Sequence, residues 1–248
     1  MSYNSRSPFL ALPLGSAVPA TQLIVLCFAG VVCVGPLAIY LCWLAGVNRR
    51  PAPTVVAGAW DFARLYAALS GFVLVGGVVL LSLVQTDSRF VARGDWAQLQ
   101  VNWEQERVNW TLTMVGYLTL VIGVAALVAA SRARLLCVYN VAPADADKAV
   151  EEALEKAGLP TVRHGNRWGD GIPLVEVVPF HGTAHVGIHL LSNSQATRDE
   201  LERHLRPALL ALAAPDNPAA PWLTSLASGT VMVLVGFVLF GVYLTLTR

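Results

Sequence analysis

The sequence predicts an α-helical multi-pass membrane protein that has four transmembrane helices and a small α/β domain inserted between the third and the fourth. Two observations support this fold class. Of the 248 residues, 55% are hydrophobic and only 13% are charged, whereas soluble domains average about a quarter charged residues. Four apolar stretches are also long enough to cross a hydrocarbon core, namely residues 23–47, 65–84, 111–130 and 223–248.

Residues 1–22 are predicted to form a flexible tail before the first span. The tail contains Pro, Ala and Ser and has one charged residue, Arg6. It lacks the basic start and short apolar core of a cleavable signal, so we expect it to be retained. Pro36, within the first span, is tolerated in a membrane helix if neighbouring groups satisfy the carbonyl that it frees. The four cysteines form no C-x-x-C pair and are interpreted as small buried hydrophobic residues.

The second span carries small residues that allow helices to approach closely. Ala67 and Gly71 stand four positions apart, and Gly76 and Gly77 follow. They predict packing against another helix of the same chain, with contact between copies of the chain as the alternative.

Aromatic residues recur at heptad spacing before and within the third span. They are Trp96, Trp103, Trp110 and Tyr117. Seven residues are close to two helical turns, so one long helix over 95–131 would carry these rings as a stripe. Residues 95–110 then form an amphipathic extension of the span. Trp110 fits the aromatic belt at headgroup level, and the rings beyond it predict either a helix lying along the membrane surface or a partner-binding helix.

Residues 132–214 have the pattern of a soluble α/β domain, and a Pro-rich linker follows at 215–222. Strands are predicted at 135–141, 161–168, 174–180 and 183–191. One helix is opened by Pro143 and closed by Gly158, and a second begins at Thr197 with Glu200 at capping-box spacing. The order β-α-β-β-β-α favours a ferredoxin-like sandwich, in which two helices cover one face of a single sheet.

His181, His185 and His189 are spaced four apart and are the most suggestive side chains for chemistry. On a helix they would share a face and could hold a metal ion. On a strand, four residues span about 13 Å, which is too far for two of them to share an ion. The alternation of Val186, Ile188 and Leu190 favours a strand. The histidines are therefore predicted on an uncovered face. This face is interpreted as an ordinary solvated one, with a pH-sensitive or partner-binding surface as one alternative and metal ligation by His185 and His189 as another.

No sequence motif indicates catalysis, a cofactor or nucleic-acid binding. Residues 132–222 contain nine Lys/Arg and eleven Asp/Glu, a net charge of −2, which argues against binding of nucleic acid by the basic segment 163–168. Serine-nucleophile, zinc-protease and phosphate-loop motifs are absent from the sequence. The four spans contain no Asp, Glu, Lys, Arg or His before the terminal Arg248, although transport pathways generally require such groups at membrane depth.

The sequence therefore predicts a non-enzymatic accessory, assembly or sensory subunit that lies in the lipid bilayer and binds a protein partner through its soluble domain. A homo-oligomeric channel or transporter and a metal-handling membrane protein are the alternatives. The excess of Arg over Lys suggests a GC-rich bacterial genome, and hence the bacterial inner membrane. Arginines cluster at span ends on the domain side, at 49–50 and 132–134, which favours a cytoplasmic soluble domain and external termini.

Overall fold

The computed structural model describes residues 20–84, 96–180 and 184–247, and their side chains except at 20–21, 78–84, 96–100 and 102–106. This part of the chain is mostly helical and has one antiparallel sheet. The helices are α1 (Ala20–Val47), α2 (Gly58–Val84), α3 (Trp96–Ser131), α4 (Pro143–Lys156), α5 (Gln195–Leu210) and α6 (Ala219–Leu246). The strands are β1 (Thr54–Ala57), β2 (Leu135–Tyr139), β3 (Arg163–His164), β4 (Arg167–Trp168), β5 (Val175–Phe180) and β6 (His185–Leu190). The predicted flexible tail lies almost wholly outside the described residues.

Three helices are long and apolar enough to cross a membrane: α1 from Gln22, α3 from Arg107, and α6. Three of the four predicted spans therefore have the length and composition of membrane-spanning helices. The helix predicted over 95–131 is continuous, since α3 has 36 residues and so a length of about 54 Å. The predicted second span, 65–84, is helical within α2, but its crossing of the membrane stays a prediction.

The four long helices pack as a row in the order α6, α1, α2, α3. Helix α1 contacts both α6 and α2, and α3 packs on the other side of α2. Apolar side chains on the outer helices remain exposed, for example Leu127 at 73% and Met232 at 76%. Exposure of such a large apolar surface to water is unfavourable, so a row of this kind is stable only when lipid or other protein surrounds it.

Small residues of α2 set how closely the row is packed. A Cβ added to Gly71 would overlap the Val32 carbonyl group and the Cys33 backbone of α1. Pro36 has no backbone N–H, so the Val32 carbonyl has no helical hydrogen-bond donor four residues later. Gly71 of α2 packs closely against this carbonyl. Gly77 packs against the Tyr117 ring of α3 in the same way. These glycines serve packing within the chain, as the spacing predicted.

The sheet contains a strand that the sequence analysis missed. Its order is β1-β2-β6-β5-β4-β3, and each described neighbour pair is antiparallel. Strand β1 comes from the connection between α1 and α2, and it pairs with β2 over Thr54 to Ala57. The strand predicted at 161–168 is instead the β3–β4 hairpin, because Gly165 takes a φ of 67° and turns the chain.

Helices α4 and α5 cover one face of the sheet and form the core of the soluble unit with it. Pro143 starts α4, and Gly158 follows its end with a φ of 65°, as predicted. Helix α5 begins earlier than predicted, because the Ser194 hydroxyl and not that of Thr197 caps it. The fully buried residues of this core include Val138, Val150, Leu154, Val175, Val186, Ile188, Leu201, Leu205 and Leu209. A ferredoxin-like arrangement is not confirmed by these contacts.

Replacement of Gly71 by alanine should destabilise the helix row. The added Cβ would overlap the backbone of α1, and such overpacking costs about 1–3 kcal/mol of unfolding free energy. Gly76 is the matched control, because a Cβ there meets nothing within 4 Å. Thermal unfolding in mild detergent should show a lower midpoint for Gly71→Ala and an unchanged or higher one for Gly76→Ala. Equal midpoints for the two variants would contradict the packing described here.

Candidate functional site at the junction of sheet and membrane helices

The second face of the sheet packs on the ends of the membrane helices. Because side chains alternate along a strand, Leu135, Cys137 and Tyr139 of β2 point away from the core formed by α4 and α5. They form a separate buried cluster with Val47 at the end of α1, against which Trp43, Leu44 and Val56 also pack. Strand β2 begins soon after α3 ends and reaches the end of α1, so it runs across the ends of these helices. We call this contact region the junction.

The junction covers the face on which the histidines were predicted to be exposed. His185 is paired with Tyr139 across the sheet, and its ring stacks on Tyr139 at 4.3 Å and on Phe180 at 4.6 Å between ring centres. Its Nε2 atom is buried and has no hydrogen-bond partner within the described ranges. The prediction of an uncovered face is therefore wrong at His185, because the helix ends and the neighbouring rings occupy that side of the sheet. The strand assignment is confirmed.

The other two histidines give less information. His189 lies at the far end of β6 and is partly exposed, whereas His181 lies outside the described residues. Within the described ranges no group of three or more His, Cys, Asp or Glu side chains is placed to hold a metal ion. Metal binding by His185 and His189 thus has no further ligand here, and a role of His181 or His189 in interaction stays a prediction.

A carboxylate joins α2 to the sheet. The Tyr139 hydroxyl donates a hydrogen bond of 2.6 Å to Oδ1 of Asp61, in the first turn of α2. Burial and this bond to Asp61 raise the pKa of Tyr139, so its hydroxyl keeps the proton that it donates. Burial and the neighbouring Asp61 carboxylate also raise the pKa of Cys137 to about 12. Sequence analysis did not single out these three residues, because Asp61 is far in the chain from Cys137 and Tyr139 and the three belong to no motif.

Three asparagines join α1, β2 and the start of α6, and we call them the asparagine triad. Asn140, which is 1% exposed, donates to the carbonyls of Val47 at 2.7 Å and Arg50 at 3.2 Å. Asn217 donates to Oδ1 of Asn48 at 2.6 Å and to Oδ1 of Asn140 at 2.8 Å. Asn217 also accepts the backbone N–H of Ala219, and so caps the first turn of α6. The soluble unit is thus hydrogen-bonded to the end of α1 and to the segment that starts α6.

The chemistry of the junction is that of a fixed polar contact. Cys137 is 3% exposed, and a thiol with a pKa of about 12 is almost wholly protonated at neutral pH, so it lacks the thiolate that a nucleophile requires. The His185 ring is held between two other rings. Asp61 is engaged by Tyr139. Asp61 and Tyr139 therefore satisfy each other.

The aromatic stripe of α3 is described at two of its four positions. Trp110 is 5% exposed, and the Tyr117 hydroxyl donates to the Val73 carbonyl of α2 at 3.0 Å. Both residues therefore pack within the chain. The side chains of Trp96 and Trp103 lie outside the described residues, so an interaction surface formed by the stripe stays a prediction.

Loss of the Asn140 amide should weaken the junction. Asn140 has a φ of 59°, which glycine adopts freely, so Asn140→Gly removes the hydrogen bonds without straining the backbone. We expect a loss of about 1–3 kcal/mol in unfolding free energy, because buried carbonyls lose their donor. Asn140→Ala should lose about 1 kcal/mol more, from the strain of a positive φ. Denaturant titration followed by tryptophan fluorescence measures both losses. Asn166→Ala, at the exposed β3–β4 turn, is the control, and wild-type stability of Asn140→Gly would refute the expectation.

Acidification should destabilise the protein through His185. Burial lowers the pKa of His185 below its ordinary 6.5, and the Asp61 charge opposes that shift only in part. Unfolded His185 then binds a proton more readily than folded His185, so stability falls as the pH drops through about 6.5 and levels off below the lowered pKa. His185→Phe, which keeps a stacked ring, should reduce this pH dependence of the unfolding midpoint. His189→Phe is the control, and an equal pH dependence in wild type and His185→Phe would contradict the assignment.

Comparison with known proteins adds no independent indication of what the junction does. No protein-family model matches the chain, and no curated protein or solved structure is significantly similar to it. The contacts of the described residues are therefore the basis for a functional proposal.

Proposed function

We propose that this protein is a non-enzymatic accessory, assembly or sensory subunit of a membrane complex, and that its soluble α/β unit binds a protein partner. The observation that carries the proposal is the junction. The asparagine triad and the Tyr139–Asp61 bond fix the soluble unit to α1, α2 and α6. A domain held in this way transmits a load or displacement to the helices, which a domain on a flexible tether does not do.

The partner surface that we propose is the edge of the sheet opposite β1. There the β3–β4 hairpin carries cationic side chains, and the loop after it exposes Ile172 at 72%. Val162 is 44% exposed beside it, and a cleft of about 260 Å³ lies between the hairpin and this loop, lined by Arg167 and Trp168 among others. Exposed aliphatic side chains next to a cleft and a polar rim are features of protein interfaces.

We further propose that α2 is a fourth span, and that the soluble unit is a ferredoxin-like sandwich. Helix α2 packs between α1 and α3, and both of these helices are long and apolar enough to cross a membrane. This packing supports a crossing of the membrane by α2 alongside them. In the sandwich, β1 would supply the edge strand beside β2 that the predicted element order lacked. A bacterial inner membrane with a cytoplasmic soluble unit remains the proposed location, on the arginine clusters near 49–50 and 132–134.

The proposal is tested by affinity purification in mild detergent, with mass spectrometry and a native mass of the product. We expect a stoichiometric partner that Ile172→Glu releases, because a charge on that exposed side chain opposes apolar contact. Leu210→Glu is the matched control, since Leu210 is also exposed, at 54%, and ends α5 away from the hairpin. A homo-oligomer with no other protein attached would overturn the proposal and would favour a channel or transporter, for which ion flux into liposomes is the next measurement.

A further inference from the structure

We propose that a cleft between α1 and α2 binds an anionic phospholipid of the surrounding bilayer. The cleft has a volume of about 370 Å³ and is lined by Pro36, Ile39, Tyr40, Trp43, Arg64, Ala67 and Ala68. The polar side-chain groups of its lining residues are the Arg64 guanidinium, the Tyr40 hydroxyl and the Trp43 indole N–H. Ile39 at its rim is 73% exposed, so the cleft opens towards the lipid that surrounds the helices.

The position of the cleft along the helices matches the boundary between headgroups and hydrocarbon. Trp43 lies four residues before the end of α1, which is about 6 Å along the axis, and Arg64 lies six residues into α2. The guanidinium is placed 4.5 Å from the centre of the Trp43 ring. Tryptophan and arginine are the side chains that characteristically occupy the membrane interface. A lipid at this site would have its phosphate beside Arg64 and an acyl chain along the apolar wall towards Pro36.

Charge favours an anionic lipid over a neutral one. Among the described residues the structure shows no ion pair for Arg64. The nearest carboxylate along α2, that of Asp61, accepts the Tyr139 hydroxyl at the sheet. An exposed arginine that forms no ion pair keeps its guanidinium donors available to a phosphate group. Basic pockets between membrane helices select anionic headgroups for this reason.

Lipid binding in this cleft does not require the proposed protein partner. The cleft lies on the opposite side of the junction, and its ligand is a lipid of the bilayer. Trp43 nevertheless connects the two regions, because its ring stands edge-on to Tyr139 at 6.1 Å. A lipid bound beside Arg64 would therefore contact the same aromatic group that packs against the sheet.

The test is lipid retention measured by native mass spectrometry on the full chain in mixed vesicles. The vesicles contain phosphatidylglycerol and phosphatidylcholine in equal amounts, and we expect the protein to retain phosphatidylglycerol preferentially. Arg64→Gln should lower that preference about fivefold, which corresponds to one interfacial arginine. Arg50→Gln is the matched control, because it removes the same charge from the same side of the membrane without lining the cleft. It should keep the preference.

A second variant tests the acyl-chain wall without a change of charge. Ala67 lines the cleft and is exposed, so Ala67→Phe would fill it and should abolish preferential retention. Equal retention of both lipids by the wild-type protein would overturn the proposal, as would a preference that Arg64→Gln leaves intact. Displacement of the lipid by inorganic phosphate alone would also overturn it, because the acyl chain would then contribute nothing.

Discussion

The second face of the sheet must be covered, and the rest of the molecule depends on how this is achieved. Helices α4 and α5 cover only one face of the sheet. The ends of the membrane helices cover the other, over Leu135, Cys137 and Tyr139. Burial of this face removes apolar side chains from water and at the same time fixes the sheet against the helix ends. The soluble unit therefore shares a buried cluster with the long helices and does not pack as a separate domain. Strand β1, from the connection between α1 and α2, extends its sheet.

Neutral amides are well suited to hold such a contact. Close to hydrocarbon, an unpaired charge is costly, whereas an asparagine amide both donates and accepts without a net charge. The asparagine triad satisfies carbonyls at the end of α1 and connects them to α6. The carboxylate of Asp61 is directed at the Tyr139 hydroxyl. These hydrogen bonds fix the relative position of the sheet and the helix ends, and they satisfy polar groups that would otherwise be buried without partners.

This construction gives a physical basis for coupling between a partner and the membrane. The proposed partner surface lies at one edge of the sheet, and the proposed lipid cleft lies between the helices on which the sheet rests. Between them are packed rings and short hydrogen bonds, with Tyr139 in contact with Trp43 on one side and His185 on the other. Any ligand that shifts the helix ends must also shift the face of the sheet, because the two share one buried cluster.

The sequence alone predicts the three helices that are long and apolar enough to cross a membrane, the continuity of α3 and the two helices of the soluble unit. These features follow from local patterns, namely apolar length, the 3.6-residue period and the end signals at Pro143 and Gly158. Only the tertiary structure revealed β1, because a four-residue strand acquires its identity by pairing with Tyr139 and its neighbours much later in the chain. The same holds for the meeting of Asp61 with Tyr139 and for the burial of His185. Each of these depends on side chains that are distant in sequence, and hydrogen bonds and ring stacking between such groups leave no periodic signal in the sequence.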